Sequence, residues 1–220
     1  MLTALVAFAS FQSMNTLTPQ EVKDGWQLLF DGKSLDGWHS YNEPEIGKGW
    51  KVIDGVLTIT DADTAGDIVT DGMYRWFELK LEFKVGKGQN SGVIFRAADG
   101  SKAMWQSGPE VQIYDHPAGP GVQITGYLYD LYSSPIDAQK PAGEWNTMDI
   151  ILSPKKCMTY INGVKYYEYV YQSKDFWDRV ANSKFKQWPE FAKADKGRIG
   201  LQGDHGDVSF RDIKIKPIKG

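Results

Sequence analysis

Cysteine is almost absent from this chain, whose 220 residues include only Cys157. A single cysteine excludes an intrachain disulfide framework and any site built from several cysteine ligands. Because Cys157 lies in a strand-like stretch, we expect a buried free thiol rather than a nucleophile. The sequence also lacks a Ser-His-Asp pattern, a P-loop and a dinucleotide-binding fingerprint, so it gives no indication of the enzymes that depend on them.

Charge runs and long apolar runs are missing as well. The net charge is -3 without a long run of one sign, which leaves no electrostatic footprint for nucleic acid or an anionic membrane. The apolar opening Met1–Phe11 is too short to span a bilayer. It resembles the apolar core of a secretory signal, although it lacks a basic start. We therefore treat residues 1–22 as a signal-like or disordered terminus, and expect export to the periplasm or the extracellular space.

Aromatic residues and turn formers are abundant. The chain is 13% aromatic, with 8 Trp and 11 Tyr, and its Gly 23 and Pro 10 supply turns. This composition favours many short strands over helices. Apolar residues occupy every second position over 77–85, as in a strand with one buried face. Asp54-Gly55 and Asn162-Gly163 separate pairs of strand-like runs, which predicts two tight hairpins.

One helix interrupts this strand pattern. Ser173 can cap a helix over about 174–186, and Trp188-Pro189 would end it. We predict an all-β fold for residues 23–220: a single concanavalin-like jelly-roll sandwich of two antiparallel sheets with one short helix. The apolar strand faces predict a core that includes Leu79, Leu81, Val93, Phe95, Val111, Ile113, Ile199 and Leu201.

The strand-like segment Glu110-Val-Gln-Ile-Tyr114 carries polar side chains on one face. Val111 and Ile113 should point to the core, so Glu110 and Gln112 project from the opposite face. That face is either solvent-exposed, as polar outer faces of antiparallel sheets usually are, or the floor of a ligand groove. A carboxylate and an amide in one row suit the hydroxyl groups of a sugar.

The segment Asn90-Ser-Gly-Val-Ile-Phe-Arg96 follows the same alternation. Asn90, Gly92 and Arg96 should face away from the core. Gly92 would allow a ligand or another backbone to approach closely. The planar guanidinium of Arg96 could grip a carbonyl or hydroxyl pair of a ligand. A structural salt bridge from Arg96 to Glu110 is the alternative.

One of the three histidines, His205, lies in the polar turn Gln202-Gly-Asp-His-Gly-Asp207. A loop histidine beside carboxylates is a candidate acid or base, because its pKa lies near working pH. Asp204, His205 and Asp207 could hold a cation, but no second histidine or third carboxylate has the spacing of a known metal site. We predict no cofactor and leave metal assistance open.

A long aromatic loop runs from Tyr127 through Tyr129 to Trp145 and Asn146. Long structured loops in compact domains tend to carry function. The rings of Tyr129 and Trp145 could pack against the C–H faces of a sugar. Alternatively, the loop is an aromatic cluster that covers a sheet edge.

These segments together resemble the 3-keto-disaccharide hydrolase domain family, also described as 3-keto-glucoside 1,2-lyase and 3-keto-2-hydroxy-glucal hydratase, over residues 25 to 218. The matching pieces are Leu29-Phe-Asp-Gly-Lys-Ser-Leu-Asp-Gly-Trp38, Phe77-Glu-Leu-Lys-Leu-Glu-Phe83, Asn90-Ser-Gly-Val-Ile-Phe-Arg96, Glu110-Val-Gln-Ile-Tyr-Asp115, Gly143-Glu-Trp-Asn146 and the tail Lys196-Gly-Arg-Ile-Gly-Leu-Gln-Gly-Asp-His-Gly-Asp-Val-Ser-Phe-Arg-Asp-Ile-Lys-Ile-Lys216. In one departure from the family, Gly203 separates Gln202 from Asp204.

The resemblance implies an enzyme that acts on glycosides already oxidised at C3 by a partner sugar 3-dehydrogenase. A ketone at C3 makes the C2 proton acidic, so a base removes it, the aglycone leaves from C1, and water adds to the resulting glucal. Glu110 and His205 are the candidate bases. The substrate-binding candidates are Asn90, Arg96, Gln112, Tyr129, Trp145 and Gln202.

Two other functions fit the same sandwich. A non-catalytic, lectin-like carbohydrate-binding module would use the groove for binding alone. A conventional glycosidase or glucanase would need two carboxylates flanking the glycosidic bond and would act on unoxidised substrates. In all three cases the partner is a small carbohydrate.

Overall fold

The computed structural model describes residues 13–116 and 123–220. Helices in these ranges are α1 (Pro19–Lys23), α2 (Ala62–Ala65) and α3 (Lys174–Ala181), with 3-10 turns at Met104–Gln106 and Lys184–Gln187. The strands there are β1 (Gln27–Leu28), β2 (Trp38–Ser40), β3 (Trp50–Ile53), β4 (Val56–Ile59), β5 (Ile68–Thr70), β6 (Phe77–Val85), β7 (Asn90–Ala97), β8 (Glu110–Tyr114), β9 (Asn146–Leu152), β10 (Cys157–Ile161), β11 (Val164–Tyr169), β12 (Arg198–Leu201) and β13 (Val208–Pro217). No helix in this part of the chain has the length and apolar character needed to cross a bilayer.

The strands form two antiparallel sheets, which confirms the predicted sandwich. In the described part of the chain, the large sheet has eight strands in the order β11-β10-β9-β6-β13-β4-β3, with β1 also paired to β13. The small sheet has the order β2-β5-β12-β7-β8. Strand β6 shows the predicted alternation, since every second residue from Phe77 to Val85 is buried.

The apolar faces of the two sheets meet in one core. All eight predicted core residues are buried there: Leu79, Leu81, Val93, Phe95, Val111, Ile113, Ile199 and Leu201. Cys157 is buried as expected, and burial raises the pKa of its thiol to about 11. A thiol of this kind is inert at neutral pH.

Both predicted hairpins are present, as β3 paired with β4 and β10 paired with β11. Asp54 and Gly55 have φ values of 50° and 80°, and Asn162 and Gly163 have 51° and 79°. Positive φ at both central residues defines the type I′ turn, whose twist matches that of the flanking strands. Asn and Asp tolerate this conformation better than other non-glycine residues.

The predicted helix is shorter than expected, and the described residues form two further short helices. The Ser173 hydroxyl caps α3 by accepting a hydrogen bond from the Phe176 amide at 3.2 Å. The helix ends at Ala181, because the Ser183 hydroxyl caps the separate 3-10 turn that follows. Helices α1 and α2 correct the expectation of a single helix.

Residues 13–22, which the sequence analysis placed in a signal-like or disordered terminus, are ordered and pack against the fold. The buried Asn15 donates from its side chain to the Gly55 carbonyl and exchanges hydrogen bonds with Asp212. Helix α1 has a reciprocal capping box between Thr18 and Glu21. Residues 1–12, on which the prediction of a secretory signal rests, lie outside the described ranges.

Candidate active site

A pocket of about 210 Å³ lies on the outer face of the small sheet, where β7, β8 and β12 run side by side. Asn90 on β7, Glu110 and Gln112 on β8, and Gln202 just after β12 line it. In the sheet register, Ile94 pairs with Glu110 and Gly92 with Gln112. Four of the predicted site residues therefore meet on one face, as strand alternation predicts.

Glu110 forms the buried floor of the pocket and is only 6% exposed. Its carboxylate lies over Gly92, where an added Cβ would be 2.1 Å from Glu110 Oε1. The space that the glycine leaves is therefore filled by the side chain of Glu110, not by a ligand. Burial raises the pKa of Glu110 from 4.5 to about 7, because desolvation penalises the charged form.

The Gln112 amide links the polar side chains of the floor. In the orientation that satisfies its neighbours, its nitrogen donates to Glu110 Oε1 at 3.1 Å, Asn90 Oδ1 at 3.2 Å and the Ser91 carbonyl at 3.0 Å. Gln112 is 3% exposed, so these contacts are shielded from water. This link holds the Glu110 carboxylate against the sheet.

His205 lies at the exposed rim of the same pocket, so the inserted Gly203 does not remove it from the site. The loop that carries His205 is fixed to β7, since the backbone N–H of Asn90 donates to the backbone carbonyl of His205 at 3.3 Å. The ring hydrogen-bonds the Asp204 carboxylate, and this contact raises the pKa of His205. Burial raises the pKa of the neighbouring Asp67 to about 6.

Loops close the pocket from above with Trp105, Tyr129 and Lys184. The Tyr129 amide donates to the Glu110 carbonyl at 2.9 Å, which fixes the predicted aromatic loop beside the floor. The Lys184 ammonium lies 3.8 Å from the centre of the Tyr129 ring. Tyr129 was identified from the sequence, but Trp105 and Lys184 were not.

The two missed residues carry weak sequence signals. Trp105 lies in a 3-10 turn with no hydrophobic periodicity. The sequence predicts a helix that runs through Lys184, but α3 ends at Ala181 and Lys184 begins a separate 3-10 turn beside the pocket. The Ser183 cap that starts the new turn was the one available sign of that break.

Arg96 is not in the pocket, which corrects its prediction as a sugar ligand. The described register puts Ile94 opposite Gly200 and Ala97 opposite Arg198, so β7 has one extra residue at a bulge. Arg96 has a φ of 52° at this bulge and turns inward, where it is 1% exposed. The alternation that held from Asn90 onward fails at this residue.

The buried guanidinium of Arg96 is held by two aromatic rings and two backbone carbonyls. It lies 4.2 Å from the Trp76 ring centre and 4.5 Å from that of Tyr171. It donates to the Arg75 carbonyl at 3.0 and 2.6 Å and to the Ala194 carbonyl at 3.4 Å. The alternative salt bridge to Glu110 is also wrong, because these carbonyls take the place of a carboxylate.

Trp145 also lies away from the pocket. Its ring is 4.0 Å from the Arg211 guanidinium and 5.1 Å from the Lys84 ammonium, and both of these residues belong to strands of the large sheet. The predicted contact of Trp145 with substrate is therefore corrected. The Trp145 end of the long loop covers the large sheet, whereas the Tyr129 end reaches the pocket.

A larger cavity of about 430 Å³ lies against the large sheet. Its charged side chains pair with one another or with their neighbours: Lys80 lies 3.5 Å from Asp149, and Lys214 contacts Glu21. The smaller pocket differs because a buried carboxylate, a histidine and a lysine converge there. Among the described residues, no three His, Cys, Asp or Glu side chains are grouped to hold a metal ion.

Comparisons with known proteins identify the family of the chain. Residues 25–216 match the model of the 3-keto-alpha-glucoside-1,2-lyase-like domain. A 3-keto-disaccharide hydrolase of Bacteroides thetaiotaomicron is 31% identical over 231 aligned positions, which cover 89% of this chain and 79% of that protein.

Two crystal structures of candidate glycosyl hydrolases from Parabacteroides distasonis are also similar. One has a TM-score of 0.86 at 31% identity and covers 94% of this chain and 100% of its own. The other has a TM-score of 0.70 at 32% identity, and the match covers 88% of this chain and 99% of its own. The resemblance drawn from the sequence motifs is confirmed, and the chain belongs to the 3-keto-alpha-glucoside-1,2-lyase-like domain family.

Proposed function

We propose that this protein cleaves glycosides oxidised at C3, by elimination across C1 and C2 followed by hydration. The observation that carries the proposal is the buried Glu110 carboxyl, whose pKa of about 7 suits a general base at neutral pH. The family match and the hydrolase relative support a carbohydrate substrate. A pocket of about 210 Å³ is below the roughly 300–1,000 Å³ of drug-sized sites, which suits one sugar ring.

In the first half-reaction, Glu110 takes the C2 proton and the C–H electrons form the enolate of the C3 ketone. The enolate then collapses to restore the ketone, a C1–C2 double bond forms, and the C1–O bond to the aglycone breaks. His205 gives a proton to the leaving oxygen, since its contact with Asp204 favours the protonated ring.

In the second half-reaction, His205 takes a proton from water as its hydroxyl adds to C1, and Glu110 returns the proton it holds to C2, so both side chains regain their starting protonation states. The product is the free 3-keto sugar, and the net change is hydrolysis. Asn90 and Gln202 face the ring as hydrogen-bonding groups, while Trp105 and Tyr129 supply aromatic faces for its C–H groups. Gln112 positions the base through its contact with Glu110 Oε1.

A conventional glycosidase is a weaker fit. Its mechanism needs two carboxyl groups on either side of the glycosidic bond. Of the described residues that line the pocket, Glu110 is the only one with a carboxyl group. Elimination requires one base at C2 and a proton donor at the aglycone, which Glu110 and His205 supply.

The deciding experiment compares a 3-keto-glucoside with its unoxidised parent. We expect aglycone release and a glucal-like ultraviolet absorption from the oxidised substrate alone. Cleavage of the parent would favour the conventional glycosidase, and binding without turnover of either compound would favour a carbohydrate-binding module.

The proposal includes a supplier of substrate and a location. A C3 ketone has to be made by oxidation of a C3 hydroxyl, so a sugar 3-dehydrogenase must act first. Met1–Phe11 supports export to the periplasm or the extracellular space, because it resembles the apolar core of a secretory signal. Detection of the mature protein outside the cytoplasm would test the location.

A further inference from the structure

Lys184 brings a positive charge to the pocket from outside the sheet. It begins the 3-10 turn Lys184–Gln187, and its backbone amide donates to Asp130 Oδ2 at 2.8 Å. Its ammonium lies 3.8 Å from the Tyr129 ring centre and 5.2 Å from that of Trp105. Aromatic faces attract cations, so these two rings hold the ammonium at the pocket wall.

The Lys184 ammonium makes no hydrogen bond or ion pair to a side chain within the described ranges. Other lysines there do: Lys156 lies 2.8 Å from Glu168, and Lys174 lies 2.6 Å from Asp178. Lys184 is exposed at the rim, and its ammonium carries three N–H donors. A ligand that fills the pocket therefore meets a donor group that has no acceptor side chain among the described residues, and it can supply one.

Lys184 and Glu110 are electrostatically coupled. The Lys184 charge opposes the burial that raises the pKa of Glu110, and the Glu110 charge opposes the desolvation that lowers the pKa of Lys184. Both side chains line the same small pocket, so the cation and the base face the same ligand. When a base removes a C2 proton, negative charge moves to the adjacent C3 oxygen, and a fixed cation beside the base stabilises it.

We propose that Lys184 is a catalytic residue whose ammonium group holds the C3 oxygen of the substrate as the enolate forms. This inference rests on the proposed function. The sequence predicts Arg96 as a group that grips a carbonyl or hydroxyl pair of the ligand, but Arg96 is buried away from the pocket. His205 also lines the pocket, but in the proposed function it gives its proton to the aglycone and so loses its positive charge, whereas Lys184 transfers no proton and keeps its charge.

The test compares Lys184→Met with Lys186→Met, a control at an exposed lysine two positions away. Two rates are measured on 3-keto-glucosides: exchange of the C2 proton with deuterated water, and release of the aglycone. We expect Lys184→Met to lower both rates by about 10²–10³-fold, as removal of one oxyanion donor does. A nitrophenyl aglycone, which leaves without a proton donor, should not restore Lys184→Met.

A pH profile adds a readout that a purely structural role would not move. Without the positive charge, the pKa of Glu110 should rise, so the acidic limb of kcat/KM should move to higher pH in Lys184→Met. Lys184→Arg keeps the charge and should leave that limb in place. Melting temperatures show whether each variant is folded.

The outcomes separate this inference from the proposed function. Full activity of folded Lys184→Met beside an active wild type would overturn the role of Lys184 alone. Loss of aglycone release with normal C2 exchange would make Lys184 a leaving-group residue and would also overturn it. A wild type inert toward 3-keto-glucosides would overturn the proposed function and this role with it.

Discussion

Glu110→Gln replaces the buried carboxyl with a neutral amide of nearly the same shape, so it separates the effect of charge from that of packing. In the folded protein, burial raises the pKa of Glu110 from 4.5 to about 7. Above that pH the folded state holds a desolvated carboxylate that the unfolded chain would expose to water. At 1.36 kcal/mol for each pKa unit, the difference corresponds to about 3 kcal/mol of unfolding free energy.

The sign follows from proton binding. Because the folded-state pKa is raised, the folded protein holds the proton more tightly than the unfolded chain does. The stability that this proton contributes is fully present below pH 4.5 and is lost as the pH rises through about 7. Glutamine does not titrate, so its unfolding free energy lacks this pH dependence. As the pH rises from about 4 to about 8, the unfolding free energy of Glu110→Gln should therefore increase by about 3 kcal/mol relative to that of the wild type.

Urea unfolding across this pH range measures the effect, with Glu190→Gln as a control at an exposed glutamate. Turnover of a 3-keto-glucoside by Glu110→Gln should fall at least about a hundredfold, as expected for loss of a general base. A stability difference that stays constant with pH would refute the raised pKa. If Glu110→Gln retains full activity and His205→Ala is inactive, the base is His205 and not Glu110.

Three further substitutions test the geometry of the site. Gly92→Ala puts a Cβ 2.1 Å from Glu110 Oε1, so the carboxylate must move. We expect kcat to fall about a hundredfold while the circular dichroism spectrum stays unchanged. An unchanged kcat would contradict the position proposed for the base. Arg96→Met leaves buried carbonyls unpaired and should lower the unfolding free energy by about 3 kcal/mol, with KM unchanged in the folded fraction. Trp145→Ala should leave KM for a 3-keto-glucoside unchanged, and a raised KM would bring Trp145 back to the substrate.

Strand alternation predicted the fold and half of the site because it reports directly on which face of a sheet a residue occupies. Neither β6 nor β8 carries an extra residue in the described registers, since the shift between β6 and β13 lies on β13, so Leu79, Val111 and Ile113 are buried as expected. The same parity puts Glu110 and Gln112 on the opposite face. Their convergence with Gln202 then follows from antiparallel pairing through β7.

Arg96 shows where this reasoning fails. A bulge adds one residue to a strand and reverses the parity of everything after it. Nothing in Asn90-Ser-Gly-Val-Ile-Phe-Arg96 marks the bulge, because its cause is tertiary: Arg75, Trp76 and Tyr171 surround the guanidinium from elsewhere in the chain. The inward turn of Arg96 also explains why Ala97, and not Arg96, occupies the outer face of β7.

The apolar part of that outer face accounts for the basicity of the site. Ala97, Ile94, Val69 and Met104 form a second buried cluster there, and Ile94 pairs directly with Glu110 in the sheet register. Glu110 therefore lies at the boundary between this cluster and the polar half of the face. Apolar neighbours cannot solvate a carboxylate, so the packing that buries Ile94 also raises the pKa of Glu110. The bulge that removes Arg96 from the pocket thus keeps the pKa of Glu110 high in two ways. It brings Ala97 to the apolar cluster, and it takes away a guanidinium that would have lowered the pKa of Glu110 and held it ionised.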